Sequence, residues 1–172
     1  YKTGSDNPST TARTVSIVVK DADVACAGSG NTTISITGTN DCPTLSNASN
    51  FATSYTENGA NASVVNSTFA IVDADLATAS TTQAWTATVQ LTNGVSLDSL
   101  LVPASANGFT VATPVYAYPN VTVTISGTGT AANLATLIKG ITYKSGSDNP
   151  STTARTVSIV VKDADVACAS SG

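Results

Sequence analysis

The chain has no histidine and no methionine, and charged residues occupy only 10% of its 172 positions, against about a quarter in ordinary soluble domains. Without histidine, the Ser-His-Asp and Cys-His nucleophile systems are excluded, as is the commonest zinc ligand. Seven Lys and Arg against eleven Asp and Glu give a net charge of −4, which leaves no basic footprint for nucleic acid. No apolar run approaches the roughly 18 residues that a membrane helix needs. No charged segment followed by an apolar stretch opens the sequence, so a signal peptide is expected to be removed or to lie outside this window. Aromatic residues are scarce at 5%, and Glu57 is the only glutamate. An enzyme is not expected.

What is abundant is hydroxyl: about 50 residues are Ser or Thr. What is repeated is more telling. Tyr1 to Gly30 and Tyr143 to Gly172 agree at 28 of 30 positions, differing only at Thr3/Ser145 and Gly28/Ser170. Even the loop GSDNPSTTAR is copied letter for letter. Two copies of a packing motif inside one fold would drift, so the economical reading is a tandem array with a period of 142 residues. Residues 1–41 are then the C-terminal part of one repeat, its strands F and G, plus a linker. Residues 42–172 form the next repeat, without its last strand G.

Alternation of period two marks Val15–Ile17, Thr33–Thr37, Trp85–Leu91 and Val121–Ser126 as strands. Asn58-Gly59, Asn93-Gly94, Asn107-Gly108 and Asp148-Asn149-Pro150 punctuate them as turns. Only 130–139 (TAANLATLIK) has helical spacing. The expected fold is all-β, an Ig-like, cadherin-like Greek-key sandwich with one short helix near 130–139. Strand A is placed near 44–56, B near 67–72, C near 84–91, the middle strands at 109–126, E near 141–144 and F near 156–162. The preceding repeat's strand G is placed near 32–39.

In that topology the Asp-Ala-Asp pairs Asp73/Asp75 and Asp163/Asp165 follow strands B and F, at the end where the chain enters. Asn40-Asp41 lies in the linker beside them, and Asp6 faces the linker from the preceding repeat. Like charges so placed repel unless a cation intervenes, and Ca²⁺ takes six to eight oxygen ligands from such segments. Asp also favours turns and Asx caps with no metal present.

Five segments in order carry a resemblance: Tyr55-Thr56-Glu57-Asn58-Gly59, Val72-Asp73-Ala74-Asp75, Ile141-Thr142-Tyr143, Ser147-Asp148-Asn149-Pro150-Ser151 and Val160-Val161-Lys162-Asp163. Together they resemble the cadherin-like, VCBS-type repeats of very large bacterial surface adhesins. Thr39-Asn40-Asp41-Cys42-Pro43 is similar to the N-D-A-P linker of those repeats, with Cys in place of Ala. The resemblance implies Ca²⁺ ligands at the junction: Asp6, Asn40, Asp41, Asp73, Asp75, Asp163 and Asp165. At the opposite end it implies Glu57 and Asp148. The added Asp and the Cys between Asp163 and Cys168 depart from the family pattern.

Of three cysteines, Cys26 and Cys168 occupy the same repeat position. Strand G holds Cys26 and Cys42 about 30 Å apart, too far to bridge. Cys42 and Cys168 fall at one end of one sandwich, and their disulfide is expected, with Cys26 paired outside this window. Such bonds fit an extracellular, cell-surface setting. Sequons at Asn31, Asn47, Asn61, Asn66 and Asn120 are what a Ser/Thr-rich chain produces by chance.

The functional expectation is a structural repeat of an extracellular fibre or adhesin, with neighbouring repeats as partners and lateral fibre packing open to it. An alternative is a subunit polymerised head to tail by donor-strand exchange of the N-terminal arm, against which counts the duplicated strand F at residues 14–20, surplus in that arrangement. A lesser one is a carbohydrate-binding module, with Tyr116 and Tyr118 as a small platform.

Overall fold

The computed structural model describes residues 1–22, 27–49, 51–164 and the backbone of 169–171. The chain divides into two units, Tyr1–Asn40 and Asp41–Gly172. Antiparallel strands dominate both, with one short helix, as expected of an all-β chain.

The first unit is a single hairpin, β1 (Arg13–Lys20) against β2 (Ala27–Ile34). Its register runs from Arg13↔Ile34 to Lys20↔Ala27. The expected strand G at 32–39 is therefore set five residues earlier, because pairing with β1, not the Thr/Ile alternation, fixes where it starts.

The second unit contains β3 (Thr44–Ser46), β4 (Ala62–Ser63), β5 (Ala70–Val72), β6 (Gln83–Leu91) and β7 (Asp98–Leu101). There follow β8 (Phe109–Val111), β9 (Val115–Ala117), β10 (Asn120–Gly129), the helix α1 (Ala131–Lys139), β11 (Thr142–Ser145), β12 (Val157–Lys162) and β13 (Ala169–Ser171). The largest sheet has the order β13-β12-β6-β10-β8, with β9 also pairing β10. A second sheet is β4-β11-β7, and β3 pairs β5. The strand β13, paired with β12, stands where none was expected before residue 172.

The core is what period-two alternation produces. Trp85, Ala87, Val89 and Leu91 point inward from β6, and Val121, Val123 and Ile125 from β10. Ile159 and Val161 on β12 complete that face. The helix adds Leu134, Ala135, Leu137 and Ile138. Thr130 caps its start by accepting from the Asn133 N–H at 3.2 Å, which satisfies one otherwise orphaned donor.

Strand A shrinks from the expected 44–56 to three residues. Asn47 takes φ 55°, a left-handed conformation that Asn tolerates and a strand does not. The middle region divides into three strands because β9 and β10 form a hairpin across the cis Tyr118–Pro119 bond. Two strands escaped the pattern altogether. Asp98–Leu101 has no alternation, and Ala62–Ser63 is two residues long.

Candidate functional site

At the N-terminal end of β6 the second unit gathers acidic residues from three segments. Asp73 directly follows β5 and is buried. Its Oδ1 accepts from the Asp75 N–H at 2.9 Å, and its Oδ2 from Gln83 Nε2 at 2.7 Å. The Asp75 Oδ2 in turn accepts from the Asp41 N–H. Asp163 is buried one residue beyond Lys162, which pairs with Thr86. Asp41, Asp73, Asp75 and Asp163 therefore fall at one end of the unit. The carboxylates of Asp73 and Asp75, however, are met by N–H donors. Among the described residues no group of three or more Asp, Glu, Cys or His is placed to hold a metal ion.

The other nominated ligands distribute as follows. Asp6 and Asn40 belong to the first unit. Glu57 lies in a turn, its Oε1 accepting from Asn58 Nδ2 at 3.4 Å. Asp148 lies three residues beyond Ser145, whose carbonyl accepts from the Tyr55 hydroxyl at 2.9 Å. Both thus fall toward the other end of the unit, where β11 pairs Ser145 with Asp98. Asp165, Cys26 and Cys168 lie outside the described residues. Cys42 is disulfide-bonded.

That other end holds the strongest polar constellation among the described residues, and no sequence motif marks it. Asp98 is fully buried at the start of β7. Its Oδ2 accepts from Arg155 Nε at 2.6 Å and from the Val95 N–H at 2.9 Å. Its Oδ1 accepts from the Tyr143 hydroxyl at 2.7 Å. The Tyr118 hydroxyl reaches the Asp98 carbonyl at 2.8 Å, and Tyr55 packs edge-on against Tyr143 with ring centroids 5.4 Å apart. The only available signal was the scarcity of charge itself. Arg155 and Tyr143 both belong to the repeated segment.

Burial alone would raise the Asp98 carboxyl, but the Val95, Tyr143 and Arg155 hydrogen bonds and the guanidinium charge outweigh it and hold it below its ordinary value. Tyr143 is pushed up to about 12 by burial and then by the Asp98 carboxylate. Because the Asp98 value is depressed on folding, its stabilisation is present above the ordinary carboxylate range near pH 4 and is lost as pH falls through the folded value. The Tyr143 contribution has the opposite sign: it is full below about pH 10 and is lost as pH rises through about 12. Urea midpoints followed by Trp85 fluorescence across pH should therefore drop at both extremes. Asp98→Asn should flatten the acid limb and Tyr143→Phe the alkaline one. Unchanged limbs in both variants would remove the cluster from the pH response.

Two surfaces remain. Tyr116 and Tyr118 are exposed with ring centroids 6.3 Å apart and planes inclined at 47°, not a coplanar platform. A shallow groove of about 450 Å³ runs between β5 and α1, lined largely by Phe69, Ile71, Leu76, Ala132 and Ala135. No family model, curated protein or solved structure matches this chain.

Proposed function

We propose that this chain is a structural repeat of an extracellular surface fibre, its repeats folded as Greek-key sandwiches and joined end to end through the linker around Asp41. The observation that carries the reading is the repeat seen at both levels. Segments identical at 28 of 30 positions form the same antiparallel pair, Lys20↔Ala27 in one copy and Lys162↔Ala169 in the other. Near-identical units suit a protein whose length matters more than the individuality of each unit. Low charge and many hydroxyls suit a surface exposed outside the cell, and leave lateral packing between fibres open.

Calcium belongs to this proposal as the stiffener of the junction. It is supported by the gathering of Asp41, Asp73, Asp75 and Asp163 at the linker end of the second unit. Binding would require Asp73 and Asp75 to exchange N–H donors for a cation, which carboxylates with spare lone pairs can do. A Cys42–Cys168 disulfide would fix the linker to the loop after strand F and reinforce the same end.

The test is thermal unfolding of the chain in saturating Ca²⁺ and in excess EDTA, under non-reducing conditions. A ligand at about 100 times its Kd stabilises by about 2.7 kcal/mol, so Ca²⁺ should raise Tm by about 5 °C or more. Asp73→Asn should abolish that response. If the melting temperature ignores EDTA, the aspartates are turn residues and the junction relies on covalent chain and disulfide alone.

A further inference from the structure

The charged residues of this chain are not spread evenly. None falls between Ser99 and Ile138, a stretch that supplies β8, β9, β10 and most of α1. β9 is the open edge of that stretch. It bonds β10 on one side, and no strand among the described residues pairs its other side. Edge strands are ordinarily guarded by charge, Lys above all. Here the edge shows Val115 at 64% exposed, Tyr116 at 51% and, just beyond, Tyr118 at 43%. The Tyr118 hydroxyl is tied to the Asp98 carbonyl at 2.8 Å, and the Tyr116 ring lies 6.3 Å from that of Tyr118. Chain beyond Gly172 would lengthen β13, and β12, β6 and β10 stand between β13 and β9. A longer strand there leaves this edge as it is.

We propose that the β9 edge is a lateral contact between copies of this chain, Val115 and Tyr116 of one copy packing against the same residues of a second. Each copy carries a net charge of −4, so two copies repel one another except where an uncharged face lets them approach. The edge lies at the side of the sheet, whereas a neighbour joined end to end lies along the strands. What comes alongside is a second fibre. A patch that recurs with the 142-residue period is matched in spacing by another copy of the same array, where contacts that are weak singly add together. The contact is between side chains rather than an extended sheet. From Val111↔Ile125 to Val115↔Thr122 the edge carries one residue more than β10, which is a bulge, and Pro114 within it has no N–H to offer an added strand. A self-complementary patch of this kind makes a symmetric pair. The proposal rests on the array reading for its repetition but uses neither calcium nor the linker, so its failure leaves the end-to-end joint to its own melting test.

The test is sedimentation equilibrium of the full chain up to about 1 mM, with Trp85 emission reporting the fold. Wild type should show a reversible monomer–dimer equilibrium that tightens as salt screens the repulsion between copies. Tyr116→Lys and Tyr116→Glu should each weaken it by about tenfold or more, although one lowers the net negative charge and the other raises it. Val115→Lys should act alike, and decides the matter if the Tyr116 variants lose native emission. Ile17→Lys, which places the same charge on the exposed arm, should leave the equilibrium unchanged. A single chain at every concentration overturns the proposal and leaves the tyrosines to another class of partner, such as a glycan. Opposite effects of Lys and Glu at Tyr116 overturn it too, because net charge alone would then govern association. So do Tyr116 and Val115 variants without effect, dimers that salt dissociates, and dimers that Ile17→Lys breaks.

Discussion

Asp98→Ala is expected to cost about 3–5 kcal/mol of folding stability, the range found when one partner of a buried ion pair is removed. The reason lies in what stays behind. Arg155 retains a guanidinium whose side chain is 11% exposed, and its Nη2 is already buried without a partner among the described residues. The Tyr143 hydroxyl and the Val95 N–H lose their acceptor at the same time. Arg155→Met should cost less, because the orphaned carboxyl can take a proton and go neutral. The double variant Asp98→Leu with Arg155→Met should recover much of the loss, since an apolar pair replaces a desolvated one. Domains have only about 5–15 kcal/mol in total, so urea unfolding followed by Trp85 fluorescence will resolve the series. A cost under about 1 kcal/mol for Asp98→Ala would reduce the cluster to the worth of a surface pair.

The cluster also ties folding to the repeat. Two of its members, Tyr143 and Arg155, recur as Tyr1 and Arg13, while Asp98 lies in the part of the period present once. The copied segment carries the two side-chain donors to the carboxylate and the unique segment the acceptor. That division is invisible to pattern reading. Asp98-Ser99-Leu100-Leu101 has neither alternation nor a turn signature, and becomes a strand only because β11 sets its register, Ser145↔Asp98 to Thr142↔Leu101. By contrast β6, β10, β12 and α1 were legible because each buries one face along its length, and their sequences alternate or step accordingly.

The acidic end was half legible. Asp residues directly after inward-facing strands must lie at strand ends, so their gathering followed from topology. What each carboxylate touches did not follow. The Asp73 oxygens are taken by Gln83 Nε2 and the Asp75 N–H, and Gln83 enters only because β6 begins there. Strand G was misplaced for a related reason. Thr33-Ile34-Ser35-Ile36 alternates well, but a hairpin's register is set by its partner strand and turn.

Gly127→Ala is the second substitution expected to be severe, at about 3 kcal/mol or more. Along β10 the inward positions read Val121, Val123, Ile125, then Gly127 and Gly129, so the apolar face ends in two glycines. Both are needed. Gly127 stands opposite Trp85 on one side and Phe109 on the other. A Cβ there would sit 2.1 Å from the Gly108 carbonyl oxygen and 2.8 Å from the Phe109 Cα, and φ of +153° is itself unfavourable for a side chain. Both obstacles are backbone, so β8 must move. Gly108 cannot simply turn aside, because its carbonyl accepts the Thr128 N–H at 3.2 Å. Displacing this end of β8 would loosen buried Phe109 and disturb the Gly129 carbonyl that receives Trp85 Nε1 at 3.1 Å. Gly94→Ala is the graded comparison. Its Cβ would meet the Leu91 Cδ2 at 2.7 Å, the far end of a flexible side chain, and should cost about 1 kcal/mol. Gly127→Ala should therefore lower the urea midpoint several times more than Gly94→Ala and shift Trp85 emission to the red in the folded baseline. Equal midpoints for the two variants would mean that β8 yields freely, and that the Trp85 corner is not the rigid point from which the sheet is built.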